Sequence, residues 1–403
     1  MLLLVPARTY RAAEFLLAAS RLGLDIIVGS DGALPLGSRP VLRVSPGDLH
    51  GSVDGIMARC GPVDAVVAAD TPMLVLAAAV AARMGLAHNP VEAVIAAADK
   101  AGQRRRWAHA AVAQPAFRIV PAAASEGPVA QAAARVGFPC VVKAVSLGAS
   151  QGILRADDAA GAAAAARRIR RILATARRPA DEPLLIEEYV PGQELSIDGL
   201  LEDGDLTVTA VFDKPDTPEG PTFEETLLIT PSRLPEHVLS AAITTAGRAA
   251  RALGLRYGPI HAELRIDERG GTARPAMLEL AARSIGGLCS QALRFPGGMT
   301  LEEMVLANAV GLRTSPRRLA RTSGVLMLPV ERPGMLRAVD GVTEATAVPG
   351  ITGLTITIPI GQPVHPLPDG NRYLGFVFAE GDTPEEAEKA LRAARERLRV
   401  VIQ

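Results

Sequence analysis

The sequence predicts a fold of mixed α/β and α+β class, and three observations predict it. Apolar strands alternate with helices through the first 90 residues, which is typical of a parallel α/β sheet. Near residues 258–281, two strands of alternating apolar and polar residues flank a glycine-containing turn, which indicates a hairpin. From about residue 315, short strands, Gly and Pro turns and one charged helix, Pro384–Arg399, indicate a small α+β unit.

Composition allows a large core and excludes several classes of function. The chain has 403 residues, 48% hydrophobic and 21% charged, so disorder is excluded as its main state. Lys plus Arg and Asp plus Glu both number 43, so no global charge draws the protein to nucleic acid or to an anionic membrane. Aromatic residues make up only 3%, which argues against a base-stacking surface for nucleic acid.

The cysteines and the start of the chain predict a cytoplasmic protein. Cys60, Cys140 and Cys289 lie far apart and lack zinc or redox spacing, so we expect no disulfide framework. Met1–Pro6 is apolar for too few residues to be a signal peptide. No run of about 18 apolar residues predicts a membrane span.

The N-terminal unit is predicted to contain a parallel sheet. Its first strand is followed by Pro6-Ala-Arg-Thr9 and not by a glycine-rich turn, so no dinucleotide site is predicted there. Its predicted elements are the strands Leu2–Val5, Asp25–Val28 and Asp64–Ala68 and the helices Ala12–Leu22 and Met73–Met84.

The middle region is predicted to mix helices with strands and hairpins. Its alanine-rich helix, Ala159–Ala176, carries arginines that we interpret as a solvated face rather than as a site for an acidic partner. Lys214–Pro221 is the most loop-like stretch of the region. The other predicted elements are the helices Ala97–Trp107, Val129–Val136 and Val238–Leu253, and the strands Phe138–Lys143, Leu184–Val190, Leu195–Leu201 and Leu206–Phe212.

Two glutamates on the predicted hairpin, Glu263 and Glu279, are the strongest candidates for chemistry. Alternate strand residues share a face, so His261 and Arg265 should lie with Glu263, and Met277 and Ala281 with Glu279. Neighbouring strands lie about 4.8 Å apart, so both carboxylates could reach one cation. Oxygen-only ligation favours Mg²⁺, which usually accompanies phosphates. From these strands alone, two glutamates on a solvated face remain an equal alternative.

Two further segments suggest a phosphate and nucleotide site. Lys143 ends an apolar strand, and the loop Gly148-Ala-Ser-Gln-Gly152 after it has the backbone freedom to wrap phosphate oxygens, although a plain turn is the simpler interpretation. The loop is not a Walker A motif. Glu187–Glu194 is by default a surface hairpin, but its backbone could bind an adenine edge and Glu194 a ribose.

In this order the segments resemble the ATP-grasp superfamily of carboxylate–amine ligases over nearly the whole chain. The resemblance rests on Asn89 with Asp99-Lys100, on Phe138–Lys143, on Gly148–Gly152, on Leu185–Glu194 and on the two glutamate strands. It implies an ATP-grasp fold with a Rossmann-like N-terminal domain at residues 1–95 and an ATP-grasp domain at 96–314. The lid subdomain of that domain is expected at about 115–188, and a C-terminal α+β domain at 315–403.

The resemblance also implies roles for residues at matching positions. Lys100 and Lys143 match the lysines that contact ATP phosphates, and Gly148, Ser150, Gln151 and Gly152 belong to the loop that closes over them. The adenine-binding positions match Glu187, Glu188 and Val190, the ribose contact matches Glu194, and the ligands of Mg²⁺ or Mn²⁺ match Glu263 and Glu279. ATP and a divalent ion are therefore the implied cofactors.

One departure from the superfamily pattern narrows the implied function. Many members have Glu-x-Asn-x-Arg where this chain has Glu279-Leu-Ala-Ala-Arg283, so Ala281 replaces a further metal ligand. Glu-x-Ala-Ala-Arg followed by Gly286 is similar to the L-amino acid ligases, which form dipeptides. The resemblance therefore implies amide formation between an amino acid carboxylate and an amine through an acyl phosphate, with small-molecule substrates and a homodimeric enzyme.

Arg283 and the N–H group of Gly286 are implied to stabilise the oxyanion of that reaction, although Arg283 could instead pair with a neighbouring acid. Glu224 and Glu225 could hold a substrate ammonium group or lie in a solvated loop. His261 is interpreted as structural rather than catalytic. The alternatives are a purine-biosynthesis or biotin-carboxylase-like enzyme, or a nucleotide-binding protein without turnover.

Overall fold

The computed structural model of the protein describes residues 1–7, 9, 11–34, 40–179, 181–216, 220–312, 314 and 321–403. Part of the predicted loop Lys214–Pro221 lies outside these residues, as does most of the chain next to the predicted domain boundary at residue 314. Among the described residues, no helix combines the length and the apolar composition that crossing a membrane requires.

The N-terminal unit contains the predicted parallel sheet. Its strands pair in the order β3-β2-β1-β4. Strand β1 is fully buried, as expected for a parallel strand covered on both faces. The strands are β1 (Leu2–Leu4), β2 (Ile27–Ser30), β3 (Val41–Arg43) and β4 (Val66–Ala68), and the helices are α1 (Ala12–Arg21), α2 (Leu49–Arg59) and α3 (Leu74–Met84).

The predicted helix Ala97–Trp107 is wrong as a single element, because the chain forms two helices here. These are α4 (Val91–Ala97) and α5 (Lys100–His109). The break follows from Asp99, which is extended and caps α5 by accepting a hydrogen bond from the N–H group of Ala101. Lys100 therefore stands at the first helical position of α5.

An antiparallel sheet, which we call the lid sheet, occupies the segment predicted as the lid. Its strand order is β5-β8-β6-β7, and its core is formed with two helices by residues such as Val142, Ile169 and Ile186. Its elements are β5 (Phe117–Val120), α6 (Glu126–Val136), β6 (Cys140–Ala144), β7 (Ile153–Ala156), α7 (Ala159–Thr175) and β8 (Leu184–Glu188).

Most of the remaining strands form a larger sheet in the order β13-β12-β9-β10-β11-β14-β18-β16, and β17, β15 and β19 form a separate three-stranded sheet. Strands from beyond residue 315 thus extend the sheet that carries the two candidate glutamates. Its elements and those packed around it are β9 (Glu194–Glu202), β10 (Asp205–Lys214), β11 (Leu227–Thr230), α8 (Glu236–Leu253), β12 (Gly258–Asp267), β13 (Arg274–Ala281), α9 (Leu301–Ala309), β14 (Thr322–Leu328), β15 (Gly334–Asp340), α10 (Val342–Thr346), β16 (Ile351–Ile356), β17 (Pro363–Val364), β18 (Gly375–Gly381), α11 (Pro384–Arg397) and β19 (Arg399–Ile402).

Candidate active site

A cleft separates the lid sheet from the large sheet, and it has two adjoining parts. The narrow cleft, of about 570 Å³, is lined by Lys143 and Glu187–Val190 of the lid sheet and by Leu278 of the large sheet. The wide cleft, of about 1660 Å³, continues from it toward Arg283 and Gly286. Residues common to both parts are Ser150, Ile153, Glu225, Glu263 and Glu279.

The hairpin of β12 and β13 is present and places Glu263 directly opposite Glu279. The expectation that Met277 shares the face of Glu279 is wrong. A register shift makes Leu278 an extra residue, so Met277 pairs with Leu264 and packs with it in the core. Leu278 and Glu279 consequently both line the cleft.

Three carboxylates surround the ammonium group of Lys214, a buried residue that the sequence analysis missed. Its Nζ lies 2.9 Å from Glu194 and 3.7 Å from Glu263, and it also contacts Glu225. Burial opposes the charge on Lys214, but these carboxylates raise its pKa well above the ordinary value. One oxygen from each carboxylate lies within 4.8 Å of the others, so the donor set suits a hard cation.

The two predicted lysines belong to different elements: Lys143 lies on β6 and lines the narrow cleft, and Lys100 begins α5 and bonds to a residue that lines the cleft. Lys100 donates to Glu279 at 3.1 Å and to the carbonyl of Leu147 at 2.6 Å, which links the hairpin to the start of the glycine loop. Lys143 pairs with Glu187 at 2.7 Å. The structure therefore brings Lys100 to a predicted metal ligand and Lys143 to a residue of the predicted adenine-binding segment.

Glu187 is fully buried between two cations. Arg104, which the sequence analysis missed, donates to it at 2.5 Å and also reaches the carbonyl of Leu278 at 2.7 Å. Burial opposes ionisation of Glu187, but Arg104 and Lys143 hold its pKa below the ordinary value. The side chain of Glu187 thus positions Lys143.

We expect Glu187→Gln to lower the free energy of unfolding by about 3 kcal/mol, because two buried cations lose their counter-charge. Chemical denaturation measures this. Glu188→Gln is the matched control, since Glu188 pairs with Arg269 and that arginine side chain is 50% exposed. We expect the control to cost less than about 1 kcal/mol. Equal losses from both substitutions would contradict the assigned role of Glu187.

The remaining predicted nucleotide-binding positions lie near one another at the narrow cleft. Val190 offers its carbonyl to Arg265 at 2.9 Å, and Arg265 also donates to Glu194 at 3.0 Å. The guanidinium of Arg265 stacks over the ring of Tyr189, 5.0 Å from its centroid. Arg265 therefore fixes both the segment predicted for adenine and the residue predicted for ribose.

His261 is held between two carboxylates. Its Nδ1 lies 3.0 Å from Asp198 and its Nε2 lies 3.4 Å from Glu263. Burial lowers the pKa of His261, but the two carboxylates outweigh burial and raise the pKa to about 9. These contacts orient the carboxylate of Glu263, which agrees with the structural interpretation of His261.

The backbone of the glycine loop has positive φ values at several of its small residues. Ala149, Ser150 and Gly152 adopt φ values of 53°, 55° and 67°. A Cβ atom at Gly152 would also lie 3.1 Å from that of Ala144, so glycine suits this position on two counts. Before the loop, Glu182 accepts hydrogen bonds from the N–H groups of Val145 and Ser146, and these contacts fix where the loop begins.

Arg283 lines the wide cleft and is held by polar contacts with residues of the N-terminal unit. Its Nε donates to the hydroxyl of Thr71 at 2.9 Å and lies 3.7 Å from Asp70. The neighbouring Ser284 accepts a 2.6 Å hydrogen bond from the buried Arg11. Arg283 thus does pair with an acid, Asp70, as the alternative interpretation expected. In this position the guanidinium still lines the wide cleft together with Gly286.

Of the two glutamates proposed for a substrate ammonium, the structure brings only one to the cleft. Glu225 lines both parts of the cleft, whereas Glu224 is not among the described residues that line it. Burial, with Glu331 nearby, raises the pKa of Glu224 from its ordinary value of 4.5 to about 7. Between about pH 4.5 and pH 7, the carboxyl group of Glu224 therefore binds more protons in the folded protein than in the unfolded chain.

Protein stability should therefore fall as the pH rises from about 4.5 to about 7, and Glu224→Gln should remove that fall. The partial exposure of Glu224 limits the effect to about 1 kcal/mol. Urea denaturation at both ends of this pH range measures it, with the exposed Glu268→Gln as control. An unchanged pH dependence in Glu224→Gln would refute the assignment.

Family comparisons agree with this geometry. Residues 136–292 match the ATP-grasp domain, and residues 326–403 match the L-amino acid ligase C-terminal domain 2. The chain thus contains an ATP-grasp domain, followed by a segment similar to the C-terminal domain of L-amino acid ligases. The predicted fold class and the predicted resemblance to L-amino acid ligases are both confirmed.

Several ligases are among the similar proteins. Carnosine synthase 1 of Gallus gallus is 31% identical over 64% of this chain and 28% of its own length. The D-alanine–D-alanine ligase of Gloeobacter violaceus is 31% identical over 49% of this chain and 63% of its own length. This ATP-grasp chain thus spans less than two thirds of the length of these curated relatives.

Solved structures show the same fold over the whole chain. The L-amino acid ligase of Bacillus licheniformis superposes with a TM-score of 0.81 at 23% identity, covering 100% of this chain and 98% of that one. The phosphoribosylglycinamide synthetase of Anaerococcus prevotii superposes with a TM-score of 0.67 at 16% identity, covering 100% and 99%. At these identities, the superpositions establish the ATP-grasp architecture.

Proposed function

We propose that the protein is an ATP-dependent ligase that joins an amino acid carboxylate to an amine, giving an amide, ADP and phosphate. The observation that carries the proposal is the opposition of Glu263 and Glu279 at the junction of the narrow and wide clefts, with Lys100 bonded to Glu279. This arrangement suits ATP in the narrow cleft, with its phosphates directed toward substrates in the wide cleft.

Glu263 and Glu279 would hold Mg²⁺ or Mn²⁺, because two carboxylates that face each other across the hairpin offer the oxygen ligands that such an ion prefers. The ion, when bound, supplies positive charge to the phosphates. Lys100 and Lys143 add fixed charge. His261 and Lys214 restrain the carboxylate of Glu263, so it is already oriented before a ligand arrives.

The proposed reaction has two steps. The substrate carboxylate attacks the γ-phosphorus of ATP, which releases ADP and leaves an acyl phosphate. The amine then attacks the acyl carbon and loses a proton, phosphate leaves, and an amide forms. Arg283 and the N–H group of Gly286 stabilise the oxyanion of the second step, and Glu225, whose carboxylate also contacts Lys214, holds a substrate ammonium group. The glycine loop excludes water, which would hydrolyse the acyl phosphate.

The alternatives are less well supported. A purine-biosynthesis or biotin-carboxylase-like activity shares the fold, but Ala281 and the match to an L-amino acid ligase C-terminal domain favour amide formation between amino acids. A binding protein without turnover would not need both lysines, both glutamates and Arg283 around one cleft. A cytoplasmic location and a homodimer belong to this proposal, and size-exclusion chromatography tests the dimer.

A screen for phosphate release over pairs of amino acids tests the function. The expected result is release that needs ATP and both amino acids, with a dipeptide detected by mass spectrometry. ATP binding without amine-dependent release would favour the binding protein. Turnover that requires bicarbonate or a purine precursor would favour the first alternative.

A further inference from the structure

A short segment of the C-terminal unit touches both the glycine loop and the wide cleft. Residues 366–373 form a tight turn in which the N–H groups of Asp369 and Gly370 donate to the carbonyl of Pro366. Any Cβ atom at Gly370 would lie 2.0 Å from the carbonyl oxygen of His365, so the turn requires glycine. We call residues 366–373 the C-terminal turn.

The C-terminal turn binds the glycine loop through two carbonyl groups. The N–H group of Gly152 donates to Pro368 at 3.1 Å, and the side-chain amide of Gln151 donates to Asp369 at 2.8 Å. Both donors belong to the loop that the proposed function places over the phosphates. The loop is thus held by an element more than 200 residues away in sequence, as the 218-residue separation of Gln151 and Asp369 shows.

A third contact joins the turn to the body of the lid sheet. Arg168 of α7 donates to the carboxylate of Asp369 at 2.5 Å. This arginine belongs to the basic helix that composition alone suggested was merely solvated. The side chains of Arg168 and Asp369 are 42% and 45% exposed, so replacing them leaves the core untouched.

The same turn also lines the space for substrates. Asn371, Arg372 and Tyr373 face the wide cleft, where Arg283 and Gly286 lie. A ligand that contacts these residues therefore contacts a segment that is hydrogen-bonded to the glycine loop. The fold therefore connects the substrate end of the cleft to the loop that covers the phosphate end.

We propose that the C-terminal turn is a latch that holds the glycine loop closed, with Arg168 and Asp369 as its positioning residues. This inference rests on the proposed ligase function. The closed loop keeps water from the acyl phosphate until the amine attacks. If the latch opens early, water attacks the acyl carbon, phosphate leaves, and the substrate carboxylate is regenerated without an amide.

The test measures phosphate and amide in the same reaction. Wild type should release about one phosphate per amide, whereas Arg168→Glu and Asp369→Arg should each increase the excess of this ratio over one about twofold to fivefold, the range expected for loss of an exposed ion pair. The double charge reversal, which restores an ion pair, should return the ratio toward one. Arg167→Glu is the matched control, because Arg167 is the adjacent arginine of α7 and pairs with Glu126 inside the lid region.

The outcomes separate the latch from the function. If wild type forms no amide, the proposed function fails. If wild type is coupled and both single reversals also release one phosphate per amide, the latch is refuted. The latch is equally refuted if Arg167→Glu uncouples the reaction as much as Arg168→Glu, or if the double reversal does not restore coupling.

Discussion

Replacing Glu279 by glutamine is expected to reduce amide formation at least about a thousandfold while leaving the fold intact. Glu279 faces Glu263 across the hairpin, and its carboxylate also receives the ammonium of Lys100. Glutamine retains the shape but loses the charge that holds a divalent ion. The loss should appear in turnover and, independently, in the affinity for Mn²⁺ measured by electron paramagnetic resonance.

Glu268→Gln is the control for this substitution, because it lies exposed on the turn of the same hairpin. It should change neither turnover nor Mn²⁺ affinity. The side chain of Glu279 is 31% exposed but its partner Lys100 is buried, so the substitution should lower the free energy of unfolding modestly without loss of the fold. Normal Mn²⁺ affinity in Glu279→Gln would remove this residue from the metal site, whatever happened to the rate.

The hairpin could be predicted because its signals are local. Alternating residues and a glycine turn specify two paired strands, and these place Glu263 and Glu279 on facing strands. The bulge at Leu278 could not be predicted in the same way. Alternation assumes one residue per partner, and a single extra residue moves every side chain beyond it to the other face. Met277 was misplaced for this reason.

The missed contacts share a different cause. Arg104 meets Glu187 across 83 positions of sequence, and Arg283 meets Thr71 across 212. Such pairs depend on how distant elements pack, and no local pattern encodes them. Lys214 did carry a signal, since a lysine at the end of an apolar strand had already drawn attention to Lys143. The same argument applied to both lysines would have found it.

The large sheet shows the limit of dividing this chain by composition. Turns and short strands after residue 315 indicated a separate C-terminal unit. In the structure, however, β14 pairs with β11 of the middle region, β18 pairs with β14, and β16 pairs with β18. Edge pairing satisfies backbone groups wherever a free strand edge meets another strand. It leaves no compositional trace, so the C-terminal contribution to the cleft became visible only in three dimensions.

Arg283→Ala is expected to lower turnover at least a hundredfold, since one oxyanion donor contributes about 3 to 4 kcal/mol in comparable sites. A group that acts in the transition state changes kcat more than KM. Steady-state kinetics should therefore show a lower kcat with a nearly unchanged KM for the amino acids. Arg283→Lys, which keeps the charge but loses the forked donors, should recover only part of the rate.

The competing role for Arg283 is a structural pairing with Asp70, and Asp70→Asn distinguishes the two roles. Asparagine keeps the acceptor that caps the short helix beginning at Thr71, but it removes the charge beside Arg283. If Arg283 stabilises the oxyanion, Asp70→Asn should cost much less turnover than Arg283→Ala, because the hydroxyl of Thr71 still orients the guanidinium. Equal losses of turnover, accompanied by equal losses in the free energy of unfolding, would reduce Arg283 to a structural contact between the N-terminal unit and the large sheet.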